Sequence, residues 1–421
     1  MTDPVARHSS GKPTVRMLSA GQIDAGFAAL AGFTAGAIAV RSLSPADLGV
    51  YALLFLAFGV CSQVPAQLVF SPAEVLIAHR PLQERFGSLR WSVKHGAGIS
   101  AGAALVVAAG ALPFASVVDL GSLLPLVLTA VTFSMVSPMQ DHVRRVLHAA
   151  ERSERAALVS VVNVVATVGG ALALHQLGDL WVPFGSMSIG NAVSAGFGMW
   201  GVASRPRVDG PRFGDLIQIG RWLLVVGIAN AGGKYVAATV VGWIVGPAAI
   251  GFIEAARLVA RPSEVFAFGL LAAVGPRTMV AAAAGDRPAI LGLRKVYSLV
   301  VVAATVAYAA VVALPTGWAL PKEAFPNAFA VPGLLLAILG AQLLADLLGP
   351  LQGQLMGERK EAKMARIEIV GQVGRLVSSL SAWWIGPFAI PLGNGIAHGL
   401  KLVGYTRTVA PRPLKDPTVG L

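Results

Sequence analysis

Glu254, Arg257, Arg261 and Glu264 stand at i, i+3, i+7 and i+10 within a long apolar stretch. At 100° per residue this spacing confines four charges to a stripe about 80° wide on one helix face. Lys234, Asp346, Glu368 and Arg375 lie in the same half of the chain, each inside an apolar stretch of its own. Ionisable groups in such surroundings are costly and by default mark a functional site. Two arrangements answer the cost. One is a hydrated, partly cationic cavity for an anionic substrate. The other is a pair of internal ion pairs, Glu254 with Arg257 and Glu264 with Arg261, that neutralise one another. The first half of the chain offers mainly Asp24, with Gln63, Gln67 and Glu74 on the stretch that follows.

Other chemistry is sparse. The seven histidines, His8, His79, His95, His142, His148, His175 and His398, show no i, i+4 pair with a glutamate between, so the zinc-hydrolase signature is missing and they are expected at interfaces and helix ends. The single cysteine, Cys61, rules out an internal disulfide and a cysteine metal site, and reads as a small packing residue. Gly196-Phe197-Gly198-Met199-Trp200-Gly201 spells a dinucleotide fingerprint. That motif works only between a strand and a helix start, and here it lies in an apolar span. No catalytic residue, metal or cofactor is called for.

The elements that carry these residues follow from composition. Charged residues make up 13% of the chain against about 25% in a soluble domain, and mean hydropathy is +0.69. The expected fold is an all-α polytopic membrane protein with about twelve spans, each long enough for a hydrocarbon core about 30 Å thick. Their approximate positions are 20 to 42, 48 to 70, 95 to 118, 121 to 143, 156 to 177, 181 to 203, 216 to 245, 248 to 275, 295 to 316, 331 to 356, 364 to 385 and 387 to 406. With these spans, 27 of the 33 Lys and Arg residues fall on one side, Lys401 among them, two (Arg41 and Lys322) on the other, and four within spans. That asymmetry predicts cytoplasmic termini. It also turns the net charge of +12 into topology rather than nucleic-acid binding, with anionic membrane lipids attracted to the same face. Prolines 65, 138, 262, 276 and 350 mark positions where spans can bend.

The chain also repeats itself. Ser44-Pro45-Ala46-Asp47-Leu48-Gly49-Val50 returns as Gly246-Pro247-Ala248-Ala249-Ile250-Gly251-Phe252, and Glu151-Arg152-Ser153-Glu154 returns as Glu358-Arg359-Lys360-Glu361. Copies separated by an even number of spans insert with the same orientation, which predicts two six-helix lobes about a pseudo-two-fold axis along the membrane normal, with a cavity between them. The expected division is a cytoplasmic tail over 1 to 19, an N-lobe over 20 to 203, a cytoplasmic linker over 204 to 215, a C-lobe over 216 to 406 and a second tail over 407 to 421. Glu151 should then superpose on Glu358, as Pro45 on Pro247.

The first span with Arg41-Ser42-Leu43-Ser44-Pro45-Ala46-Asp47-Leu48-Gly49-Val50-Tyr51, the run Arg144-Arg145-Val146-Leu147-His148-Ala149, Gly220-Arg221, and Ala255-Ala256-Arg257-Leu258 with Pro262 and Pro276 resemble the polysaccharide and lipid-linked oligosaccharide flippases of the multidrug/oligosaccharidyl-lipid/polysaccharide exporter superfamily. The resemblance implies a MATE-like V of two lobes, alternating access driven by an ion gradient, and export of a polyprenyl-diphosphate-linked saccharide across a bacterial cytoplasmic membrane. It further implies work beside a polysaccharide polymerase or glycosyltransferases, and basic cavity residues for the diphosphate, which Lys234, Arg257, Arg261 and Arg375 supply here. Multidrug exporters of the same superfamily are the alternative. They tend to carry an acidic coupling residue in the first span, for which Asp24 is the candidate. A non-transporting scaffold is a third reading.

Overall fold

The computed structural model describes residues 15–78, 80–110, 120–206, 208–313, 329, 331–358 and 360–409. Most of both tails, Lys322 with most of the connection from Pro315 to Val331, and Arg359 lie outside the described residues.

The described chain is helical throughout. Its helices are α1 Val15–Ser42, α2 Pro45–Pro65, α3 Ser71–Ala78, α4 Leu82–Arg85, α5 Leu89–Gly110, α6 Leu120–Ala149, α7 Ser153–His175 and α8 Val182–Met199, then α9 Phe213–Val245, α10 Pro247–Ala283, α11 Arg287–Ala313, α12 Leu334–Asp346, α13 Gly349–Gly357, α14 Glu361–Ser379, α15 Ala382–Ile385 and α16 Ala389–Val409. A helix or helix pair stands at each expected span. Among the described residues seven stretches are long and apolar enough to cross a membrane alone, an eighth being possible if the bent run from Ala362 to Val409 is one span. Contacts in that run pair Gly371 with Ala397 and Ile367 with Gly404, so α14 and α16 lie side by side in opposite directions.

The repeated segments are helix starts, and the residues explain why. Ser44 caps α2 by accepting the Asp47 N–H at 3.2 Å, and Pro45 occupies the first helical position, where a missing N–H costs nothing. In the second copy Gly246 takes φ 101°, a conformation that favours glycine, and Pro247 opens α10. The two copies pack on each other. A Cβ on Gly49 would run into the carbonyl oxygen of Pro247, and a Cβ on Gly251 into the carbonyl oxygen of Pro45. Reciprocal contact of this kind is what a two-fold axis generates, and here it runs through the crossing of α2 and α10.

The second repeat is a shared turn. Arg152 N–H bonds Leu147 O and Lys360 N–H bonds Leu355 O, both at 2.8 Å, and Arg152 (φ −108°, ψ 44°) and Lys360 (φ −105°, ψ 29°) have nearly the same backbone. Arg152 therefore matches Lys360, which places Glu151 opposite Arg359 rather than Glu358. The turn's hydrogen bonds set the register; the likeness of the letters does not.

The crossing generates a prediction. Alanine in a helix interior gains about 1 kcal/mol over glycine, whereas forced overpacking costs about 1–3 kcal/mol. Gly49→Ala and Gly251→Ala should each lower the melting temperature of the protein in detergent. Gly59→Ala, on α2 with no neighbour within 4 Å of the new Cβ, should hold or raise it. Equal melting of all three would place the axis elsewhere.

Candidate functional site

Three faces of three helices converge in the second half of the chain. On α14, Glu368, Gln372 and Arg375 recur at i, i+4 and i+7; on α9, Asn230 and Lys234 at i and i+4; on α16, Asn394, His398 and Lys401 at i, i+4 and i+7. Each set shares one face of its helix. Small residues let these faces meet. A Cβ on Gly371 of α14 would lie 2.8 Å from Lys401 Cε, so glycine there makes room for the lysine stem.

The faces enclose a chamber of about 260 Å³, completed by α10, α12 and the α2 residues Ala52 and Leu56. Lys234, Glu254, Arg257, Glu264, Asp346 and Arg375 all line it, as do Glu368, His398 and Lys401. Arg257 donates from Nη1 to Glu254 Oε2 at 3.0 Å, and its side chain remains 41% exposed. Arg261 does not join them. Its Nη1 lies 3.3 Å from where a Cβ of Gly32 would stand, so the long side chain reaches across to α1, where glycine leaves space. No ion pair between Arg261 and Glu264 occurs among the described residues.

Buried polar groups on the chamber wall are only partly matched. Lys401 and Glu368 form an ion pair at 2.5 Å with side chains 3% and 4% exposed. Gln372 donates to Glu368 Oε1 at 2.6 Å, and its own carbonyl accepts from Arg375 Nη1. Arg375, 1% exposed, keeps Nε and Nη2 without partners among the described residues. Asp346 accepts from Gln342 through Oδ1 at 2.8 Å while Oδ2 is unmatched, and His398 Nδ1 is unmatched too. A buried guanidinium with two free donors suits a planar or tetrahedral oxyanion. With four cations (Lys234, Arg257, Arg375, Lys401) and four carboxylates (Glu254, Glu264, Asp346, Glu368), the chamber is ionic on balance rather than cationic.

Sequence reading missed Lys401 and His398. Lys401 is buried, not one of the cytoplasmic cations, because Glu368 one helix away neutralises it; the clue was its place inside the span expected over 387 to 406. His398 lines the chamber rather than a helix end.

Asp24 sits apart from the chamber, in the first half. Arg144 grips it with Nε and Nη2 at 2.9 and 2.8 Å, Ser160 donates at 2.5 Å, and His148 Nε2 lies 2.9 Å away. The ion pair ties α1 to α6, and the Ser160 hydrogen bond ties it to α7. A second cavity in that half, about 390 Å³, is lined by Glu74, His142 and Arg145. His142 bridges Glu74 Oε1 at 3.0 Å and Ser92 Oγ at 2.8 Å while stacking on Phe70 at 4.6 Å.

Comparisons with known proteins agree with this architecture. The model of a family described as polysaccharide biosynthesis protein matches residues 38–274. An inward-facing multidrug resistance MATE family transporter of the MOP superfamily is similar over 92% of this chain and 93% of its own, with 16% identity and a TM-score of 0.65. The lipid II flippase MurJ, in an inward closed conformation, is similar over 94% and 88%, with 11% identity and a TM-score of 0.65. A MOP superfamily transporter from Pyrococcus furiosus, described as having a binding pocket of reversed polarity, is similar over 93% and 94%, with 14% identity and a TM-score of 0.58. A search of curated proteins found no match.

The Lys401–Glu368 pair predicts a stability signature. Removing one partner of a buried pair costs about 3–5 kcal/mol, whereas removing both is often neutral. Glu368→Gln should therefore lower the amount of folded protein in membranes, and Glu368→Gln/Lys401→Met should restore it. Full abundance of the single variant would mean that water already solvates Lys401.

Proposed function

Because the chain belongs to the polysaccharide biosynthesis protein family and has the fold of MOP superfamily transporters, we propose that it flips a polyprenyl-diphosphate-linked oligosaccharide or polysaccharide precursor across a bacterial cytoplasmic membrane. The protein would act as a transporter and not an enzyme, since it makes and breaks no bond in the saccharide. The observation that carries this reading is Arg375: a buried guanidinium, with two donors unmatched, facing a chamber of charged and amide groups. Arg375, Arg257 and Lys234 take the diphosphate. Glu254, Glu264, Asp346 and the amides Asn230 and Asn394 offer acceptors and donors to sugar hydroxyls. An ionic chamber without excess positive charge fits a substrate that is anionic at one end and neutral but polar at the other.

Transport follows from two states of the halves. Residues 20 to 203 and 216 to 406, joined by 204 to 215, rock about the α2–α10 crossing and expose the chamber first to the cytoplasmic face, where both termini lie, and then to the outer face. The same superfamily's multidrug exporters favour a coupling acid in the first span. Against that reading, both carboxylate oxygens of Asp24 are already bonded, to Arg144, Ser160 and His148.

The test is reconstitution of the full chain in liposomes with a fluorescent undecaprenyl-diphosphate saccharide and a membrane-impermeant quencher. A charge-assisted hydrogen bond contributes about 1.5–3 kcal/mol, so Arg375→Ala or Arg257→Ala should slow flipping at least about tenfold at unchanged insertion. Lysine should rescue only in part, because it keeps the charge and loses the planar fork. Normal flipping by a Glu254→Gln/Arg257→Gln variant would remove Arg257 from the substrate site.

A further inference from the structure

The chamber does not end at its ionic wall. A side passage of about 40 Å³ leaves it between α12 and α16, with Arg257, Glu264, Gln342, Asn394 and His398 lining both spaces. Ile390 of α16 also lines both spaces, whereas Ala260 of α10 and Ile338 and Ala341 of α12 line the passage alone. Ala341 is also part of a third space, an open groove of about 520 Å³ on the outside of the same two helices. Its walls are hydrocarbon, chiefly Phe388, Leu392 and Ile396, with gaps at Gly340 and Gly395, beside which nothing lies within 4 Å of a Cβ position. Trp383 and Trp384, 73% and 82% exposed, stand at the turn just before the groove, as interfacial tryptophans do. The chamber, the passage and the groove thus follow one another from ionic groups to hydrocarbon, with the buried Ala341 as the wall shared by the last two.

A route of this form matches an amphiphile whose head is anionic and whose tail is long and apolar. Its tail has to stay in hydrocarbon while the head crosses, since each methylene drawn into water costs about 0.8 kcal/mol and ten would cost about 8. A flippase for such a substrate therefore needs one wall that lets the tail out sideways. Building on the function proposed above, we propose that the α12–α16 groove holds the isoprenoid chain of the lipid carrier while its diphosphate occupies the chamber, and that the seam at Ala341 and Ile390 is the lateral exit. With both termini cytoplasmic, the turn bearing Trp383 and Trp384 is external. The exit then serves the outer leaflet, and the groove is a product-release path.

The experiment uses the full chain in vesicles of phosphatidylethanolamine and phosphatidylglycerol, with a diazirine-bearing polyprenyl diphosphate as probe and a diazirine-bearing phosphatidylethanolamine as control. The polyprenyl probe should label peptides from α12 and α16, and unlabelled undecaprenyl diphosphate should compete while added phospholipid should not. Gly340→Leu and Gly395→Leu, for which the groove has room, should cut this labelling about tenfold, a change of about 1.4 kcal/mol. Melting temperature should hold or rise, and binding of isopentenyl diphosphate, which has a head and almost no tail, should not change. Equal labelling of the groove by the phosphatidylethanolamine probe, without competition, would overturn the proposal in favour of an ordinary bilayer lipid. Labelling of chamber residues with none in the groove would overturn the exit and leave the head-group site standing. No labelling by the polyprenyl probe and no binding of isopentenyl diphosphate would overturn the underlying function as well.

Discussion

Charge in a bilayer has to be paired or wetted, at a cost otherwise of several kcal/mol per group, and the ionisable residues of this protein divide along that line. Asp24 with Arg144 and Lys401 with Glu368 are paired at close range and tie helices together. Arg375, Asp346 and His398 are only partly matched, and all three look into the chamber. The unmatched charged or titratable nitrogens and carboxylate oxygen thus face the chamber, while the matched pairs hold helices together. Arg257 belongs to both groups, bonded to Glu254 on one side and open to the chamber on the other. Of the two ion pairs expected on the α10 stripe only Glu254 with Arg257 forms among the described residues, and both of its partners line the chamber.

The chamber exists because the halves meet as they do. Gly49 and Gly251 bring α2 and α10 to backbone contact, and no larger residue would let the carbonyls of Pro45 and Pro247 come so near. From that crossing α10 carries Glu254, Arg257 and Glu264 along the chamber wall, while α2 closes the chamber with Ala52 and Leu56. The crossing is symmetric but the lining is not. The cavity in the first half has its own, smaller cluster, Glu74, Asp141, His142, Arg144 and Arg145.

Much of this was legible in the residues. Long apolar stretches with few charges can only be membrane helices, and the Pro45 and Pro247 segments were recognisable because a helix start demands a cap and tolerates proline. Seven of the eight residues picked out in the second half reach one chamber, since spacing on a helix dictates a shared face. Spacing does not dictate where a long side chain ends, and Arg261 swings to α1 because Gly32 leaves a hole there. Nor does it say which cations are buried. Lys401 is grouped with the cytoplasmic cations until its partner Glu368, 33 positions earlier, is seen beside it. The register of the second repeat was off by one for a related cause, because turn geometry is conserved by hydrogen bonds that the letters do not display.

Everything proposed for the chamber rests on movement of a lipid-linked saccharide from the inner to the outer leaflet. Leaflet-resolved quantification of lipid-linked saccharide, in cells depleted of the protein, tests it most directly. The account predicts accumulation on the cytoplasmic leaflet with a matching loss outside, reversed by the intact chain and not by the Arg375→Ala variant. An unchanged distribution between leaflets, with the cell-surface polysaccharide intact, would contradict it.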